Sequence, residues 1–397
     1  MNNKMILGLM VTALIFTSCS KDEVSNVNPH NPNAIGFEVS TGKTRASVND
    51  LIALQNASGG FGVYATYRTP LEQFIINKAY KYNGSAWQWT DNDILWPTNE
   101  SDYPINFYAY YPLSAIALSG TNGLSINYTV AATPELQVDC LAASHTNVMV
   151  RPASCNINLA FKHTLSKIDF KIVTGVETTV EVQSVAIRKV GDTGTFTFSG
   201  LRWATLPTAG NTGYNYMKAP VSPANIFAGQ ITAADIAGSS GSLMLMPQNL
   251  SLRPWDKTEN GLTQDQSYIE VVYRMYETDN LNDMVGYTDA TEHPLYEDLN
   301  SIVTGSLFVK VAYPLPTNWE MSKAYTYTIH LGTPESSGGN LIEENFMDKD
   351  GNDSGLPVVH PDTEEPIDVP QPIFPDKPIG FIVTVEDWGT PSDNPLQ

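Results

Sequence analysis

The amino-acid sequence predicts an all-β protein built as two tandem β-sandwiches, and three observations carry that expectation. Many short runs alternate apolar and polar residues with the period of a strand, clusters of Gly, Pro, Asn and Asp separate them, and 397 residues suffice for two sandwiches of ordinary size. Phe61-Gly62-Val63-Tyr64-Ala65-Thr66-Tyr67 sets Phe61, Val63, Ala65 and Tyr67 on one face. Ile105-Asn106-Phe107-Tyr108-Ala109-Tyr110-Tyr111 does the same with Ile105, Phe107, Ala109 and Tyr111. Further strands are expected at 157–161, 167–173, 180–190, 195–198, 243–246, 268–275, 307–313, 325–331 and 379–386. Only short stretches such as 233–237 and 318–323 have helical character. The boundary between the sandwiches is expected near Ser154, before the strand-rich run that opens at Ile157, which divides the folded chain into 46–153 and 154–397.

The N-terminus reads as an export address. Lys4 precedes an apolar stretch from Met5 to Phe16, the length of a secretory signal core and too short to span a bilayer. It ends Phe16-Thr17-Ser18-Cys19, with small residues just before a cysteine, as a lipoprotein signal peptidase requires. Residues 1–18 are thus expected to be removed and Cys19 to carry the lipid, although Phe16 stands where leucine or valine is usual. Ser20-Lys21-Asp22-Glu23 resembles the signal that sends lipoproteins of some Gram-negative anaerobes to the outer face of the outer membrane. The polar stretch from Ser20 to Asn33, with Pro29 and Pro32, reads as a flexible tether.

Composition narrows the partners. Forty-two acidic residues against 22 basic ones give a net charge of -20, so a phosphate backbone would be repelled and nucleic acid is not expected. The expected contact with the outer membrane is through the lipid on Cys19, whose acyl chains contribute roughly 0.8 kcal/mol per buried methylene. The two remaining cysteines, Cys140 and Cys155, could pair in an oxidising compartment. Alternatively, Cys155 serves as a small core hydrophobe on the face that holds Ile157, Leu159 and Phe161.

The chain carries no constellation that predicts an enzyme, a cofactor or a metal. His30, His145, His163, His293, His330 and His360 are scattered without zinc-site spacing, and there is no nucleophile elbow or phosphate-binding glycine loop. The pairs Glu343-Glu344 and Glu364-Glu365 lie in polar, loop-like sequence. Asp348-Lys349-Asp350-Gly351-Asn352-Asp353 resembles part of a calcium loop, but its glycine and downstream acid do not fit that spacing, and a plain acidic turn is the expectation. Trp87, Trp89, Tyr108 and Tyr110 would stack on sugars if exposed; in strands such rings more often fill cores.

Several strings together resemble the fimbrillin family, subunits of the type V pili of Gram-negative anaerobes. They are Phe61-Gly62-Val63-Tyr64-Ala65, Ile105-Asn106-Phe107-Tyr108-Ala109-Tyr110-Tyr111-Pro112 and Asp139-Cys140-Leu141-Ala142-Ala143. With them go Leu159-Ala160-Phe161-Lys162-His163-Thr164-Leu165-Ser166-Lys167-Ile168, Leu243-Met244-Leu245-Met246-Pro247-Gln248 and Tyr325-Thr326-Tyr327-Thr328-Ile329. The resemblance implies two transthyretin-like β-sandwich domains, export as a lipoprotein, and removal of an N-terminal segment with its first strand by an Arg- or Lys-specific protease. Here the matching site is Arg45, with Ala46 as the new N-terminus and Lys43 as the alternative. The leader would then run from 19 to 45, and the mature subunit would sit in a fimbrium on the cell surface beside other pilus subunits.

One internal feature gives strand exchange a physical basis. Ile35-Gly36-Phe37-Glu38-Val39 near the start and Ile379-Gly380-Phe381-Ile382-Val383 near the end agree at four of five positions. In a strand, Ile35, Phe37 and Val39 point to one side, as do Ile379, Phe381 and Val383. A groove that has lost one copy is a sheet edge that the other copy, from a second subunit, can fill by strand addition. The alternative is that 379–385 is simply the last strand of its own domain. A structural pilus subunit is therefore the leading expectation; a surface lipoprotein or tip adhesin that binds glycans or host proteins is the second.

Overall fold

The computed structural model describes residues 31–41, 51, 54–68, 72–113, 117–119, 124–205, 212–217, 225–237, 241–250, 256–258, 261–263, 267–277, 307–315, 318–333, 336, 339–348, 350–358, 366, 369, 371–372 and 381–388. The described residues are overwhelmingly β, as the alternation predicts. In chain order the first thirteen strands are β1 (Gly36–Thr41), β2 (Phe61–Tyr67), β3 (Glu72–Tyr82), β4 (Trp87–Trp89), β5 (Ile105–Tyr111), β6 (Ala117–Ser119), β7 (Ser125–Thr129), β8 (Leu141–Val148), β9 (Asn156–His163), β10 (Ser166–Thr174), β11 (Thr178–Val190), β12 (Thr193–Thr197) and β13 (Arg202–Thr205).

A seven-stranded sheet runs β1-β9-β8-β5-β2-β3-β4, with β1 parallel to β9 and its other neighbours antiparallel. It rolls until its two ends meet: Ala34 bridges Leu95, Ile35 N–H donates to the Ile94 carbonyl at 2.7 Å, and Trp96 N–H donates to Asn33 at 3.2 Å. Inside the roll lies an aromatic core of Phe37, Phe61, Tyr80, Trp87, Trp89, Phe107 and Phe161. The outer face of the middle strands is covered too. Tyr64, Tyr110, Cys140 and Ala142 share a second core with Ile126 and Tyr128 of β7, Phe196 of β12 and Trp203 of β13, from the sheet β13-β12-β7-β6. Strands β2 and β5 are therefore sandwiched, which explains why Tyr64 and Tyr110, polar-face residues by simple alternation, are buried.

The same second core continues between two further sheets. In one, β10 lies parallel to the strand Lys323–Leu331, which pairs antiparallel with the C-terminal strand Phe381–Asp387. In the other, β11 is antiparallel to Tyr268–Glu277, itself paired with Val309–Pro314. Strand β10 is buried at every second residue, with Ile168, Phe170 and Ile172 inward. Gln248 locks this region from within: its side chain accepts from Gly191 N–H at 2.8 Å and donates to the Gly191 and Met246 carbonyls at 3.1 Å each.

Some expectations differ from the fold. The boundary expected near Ser154 falls before β9, yet β9 is a member of the first sheet between β1 and β8; the chain changes sheets at Thr164 and Leu165 instead. Beyond it, β12 returns to pair with β7 and carries β13 on its other edge, so the sheet that covers the first unit draws on both sides of the expected boundary. The stretches 233–237 and 318–323 are not helical. Ala234–Asp235 is a short strand on β10, and Trp319 exchanges hydrogen bonds with Gln248. Strand β3 went unseen in the sequence because it is largely exposed and Asn77, at φ 48°, bulges it and breaks the two-residue period.

Candidate functional site

The seam of the rolled sheet is the place where a strand is held from both sides. Gly36 N–H donates to the Cys155 carbonyl at 3.0 Å, and the parallel ladder to β9 continues from Gly36 opposite Asn156 to Thr41 opposite Phe161. The backbone groups on the other side of β1 are met by side chains. Tyr80 Oη accepts from Phe37 N–H at 3.3 Å, and Trp89 Nε1 donates to the Ile35 carbonyl at 2.9 Å. Burial pushes the Tyr80 hydroxyl up to about 12, with the Phe37 N–H opposing, so it stays protonated at neutral pH.

The side chains of β1 complete the core. Phe37 is fully buried, edge-on to Tyr80 with ring centroids 5.0 Å apart and to Trp89 and Phe107 at 5.7 Å each. Ile35 is equally buried and Val39 half-buried, whereas Glu38 points to solvent. Burying such apolar side chains stabilises by roughly 1.5–3 kcal/mol each, so β1 contributes as part of the core and not as a loose tail.

The C-terminal strand is held more lightly. It forms a sheet edge, with Phe381 and Val383 half-buried and Ile382 and Val385 58% and 47% exposed. Phe381 sits with its ring centroid 6.2 Å from those of Tyr313 and Tyr327. The strand ends in a clasp: Trp388 stacks on His163, and Trp388 N–H donates to the Ser322 carbonyl at 2.8 Å.

The family model described as fimbrillin-like matches residues 44–344, well over half of the chain. The chain belongs to the fimbrillin-like family. The fimbrium subunit Fim1C of Phocaeicola vulgatus is 26% identical in a match 196 positions long that covers 42% of this chain and 50% of that protein. The chain thus matches about half the length of that curated relative. A fimbrial protein from Bacteroides vulgatus ATCC 8482, known from its crystal structure, is similar in fold with TM-score 0.53 at 16% identity, covering 75% of this chain and 94% of that one.

For this fimbrillin-like chain the fold brings some of the expected site residues together and separates others. Ile35, Phe37 and Val39 line the seam, and Phe381 and Val383 face the core from the C-terminal strand. Cys19, Arg45, Ala46 and Ile379 lie outside the described residues. Cys140 and Cys155 carry free thiols, and they belong to different cores: Cys140 lies among the residues that cover the outer face of the rolled sheet, Cys155 inside the roll. The disulfide considered from the sequence is not formed here. Burial pushes the Cys140 thiol up to about 12.

Trp87, Trp89 and Tyr110 are buried, so these rings build cores and present no stacking platform for a sugar. In the acidic turn, Asp348 Oδ1 accepts from Asp350 N–H at 2.8 Å and Asn352 N–H at 2.9 Å, which ties that carboxylate to its own backbone. Among the described residues no three His, Cys, Asp or Glu side chains gather as a ligand set for a metal. Tyr80, Trp89 and Asn156 escaped the sequence reading as seam residues, because each reaches β1 across more than forty positions of chain and only a folded sheet brings them near.

Proposed function

We propose that this fimbrillin-like chain is a structural pilus subunit that is exported as a lipoprotein on Cys19, matured by cleavage between Arg45 and Ala46, and assembled by donor-strand exchange. The lipid holds the precursor on the outer face of the outer membrane, and β1 keeps the seam closed. Cleavage severs the covalent tie between β1 and the body, and residues 379–385 of another subunit replace it. The observation that carries this reading is that β1 fills a slot bounded on both sides, while the strand with the same Ile-Gly-Phe-x-Val string lies at a sheet edge, half-exposed. Arg45 stands four positions after the end of β1, which suits a cut that frees the strand. Partners are then other fimbrial subunits, this chain or its relatives.

Limited trypsin digestion of the purified precursor, followed by N-terminal sequencing and negative-stain microscopy, tests the proposal. Filaments built from subunits that begin at Ala46 are the expected result. A cut chain that stays monomeric and keeps β1 would overturn donor-strand assembly and favour a monomeric surface receptor.

A further inference from the structure

The seam does more than accept an apolar strand, because its walls read the backbone of the occupant. Gly36 stands opposite Asn156 in the parallel register, and a Cβ built at Gly36 would lie 2.1 Å from Asn156 Oδ1 and 3.2 Å from Asn156 Cγ. Turning the carboxamide about its last bond moves Oδ1 but leaves Cγ at 3.2 Å, so a Cβ at this position obliges the Asn156 side chain to shift from where it packs against the strand. Gly36 is not among the glycines at positive φ. The preference for glycine thus comes from its neighbour's side chain and not from its own backbone. On the other side of the strand, Tyr80 Oη and Trp89 Nε1 meet one N–H and one carbonyl whatever the side chains are, and set the register. The next residue enters the slot walled by Tyr80, Trp89 and Phe107.

We propose that Asn156 is a specificity-determining residue of the seam: it favours a strand with glycine immediately before the aromatic anchor, and residues 379–385 of a second copy of this chain are that strand. The inference rests on the donor-strand reading above. In Ile379-Gly380-Phe381-Ile382-Val383 the glycine falls opposite Asn156, Phe381 in the aromatic slot and Val383 where Val39 now lies, with Ile382 taking the solvent-facing place of Glu38. Val285-Gly286-Tyr287 shares the first three features but puts Asp289 in the place of Val39, so the third anchor rejects it.

Two sets of variants of the full chain test the rule. In the uncut precursor, Gly36→Ala lowers the melting midpoint by roughly 3–8 °C, and Gly36→Ala combined with Asn156→Ala recovers most of that loss. In trypsin-activated mixtures followed by light scattering, Gly380→Ala donors extend wild-type acceptors at least tenfold more slowly than wild-type donors do. Acceptors carrying Asn156→Ala take the Gly380→Ala donor at near the wild-type rate. A Gly36→Ala precursor that melts like the wild type overturns the rule at the seam. Gly380→Ala donors that assemble normally, or that Asn156→Ala fails to rescue, overturn its extension to the second copy. If the wild type itself forms no filaments, donor-strand assembly and the second-copy proposal fall together, and the precursor pair alone decides the glycine rule for β1.

Discussion

The indole of Trp388 lies flat on the imidazole of His163, with ring centroids 4.0 Å apart and planes 8° from parallel. His163 is the last residue of β9, the strand that pairs with β1, and its Nδ1 donates to Asp139 Oδ2 at 2.7 Å. Trp388 follows the C-terminal strand directly. The stack therefore joins the strand that pairs with β1 to the strand proposed as donor. An aromatic pair of this kind contributes about 0.5–1.5 kcal/mol beyond its buried area. Trp388→Ala should lower amide-exchange protection across 381–387 by about tenfold while leaving β9 and β10 unchanged. Unchanged protection would mean that the ladder to Lys323–Leu331 holds the strand unaided.

The two copies of the Ile-Gly-Phe string should differ in what they contribute at home. Phe37 is fully buried against three aromatic rings, whereas Phe381 is half-buried at a sheet edge. Phe37→Ala in the precursor should cost about 3–5 kcal/mol in urea unfolding, the usual range for a core phenylalanine. Phe381→Ala should cost about 2 kcal/mol or less. Equal losses would mean that the C-terminal strand is as integral to its sheet as β1 is to the seam, and that its release is correspondingly unfavourable.

Alternation exposed the strands that are half-buried, such as β9 and β10, because a strict two-residue period survives wherever one face meets a core and the other meets water. It is silent about β3, where Asn77 bulges the strand, and about the burial of Tyr64 and Tyr110, where both faces of the sheet are covered. The anchors Ile35, Phe37 and Val39 were legible because they recur as Ile379, Phe381 and Val383. What receives them was not, since Tyr80 and Trp89 bond to the backbone of β1 and backbone contacts leave no trace in side-chain patterning. The string Met246-Pro247-Gln248 is legible in the sequence, but what its glutamine does appears only in the fold, where Gln248 bonds both backbone groups of Gly191. Both strands of the proposed exchange lie outside the region 44–344 that the family model matches.

The thiols should be inert in the folded protein. Cys140 and Cys155 are both buried and unpaired, and with its value pushed up to about 12 by burial, only about one Cys140 in ten thousand is thiolate at pH 8. Alkylation of the native chain should leave both unmodified, and both should react once guanidinium opens the cores. A non-reducible mass or a native disulfide between them would require the two cores to rearrange.

Stability should fall at alkaline pH, and the sign follows from burial. Tyr80 is held near 12 in the fold against an ordinary value of 10.0, and Cys140 near 12 against 9.0. Both folded values lie above the unfolded ones, so the native state keeps its protons longer than the unfolded chain does. Their stabilisation is fully present below about pH 9 and is lost as pH rises through 12, at roughly 1.4 kcal/mol per pH unit for each group once its unfolded form ionises. The urea midpoint should hold steady from pH 7 to 8.5 and drop steeply by pH 11. Tyr80→Phe removes one of the titrating groups together with the hydroxyl that accepts from Phe37. It should therefore lower the midpoint at pH 7, where the lost hydrogen bond is worth about 0.5–1.5 kcal/mol, yet flatten the alkaline fall by about one proton. A variant whose alkaline slope matches the wild type would show that Tyr80 ionises as readily in the seam as in water, and that β1 does not seal it.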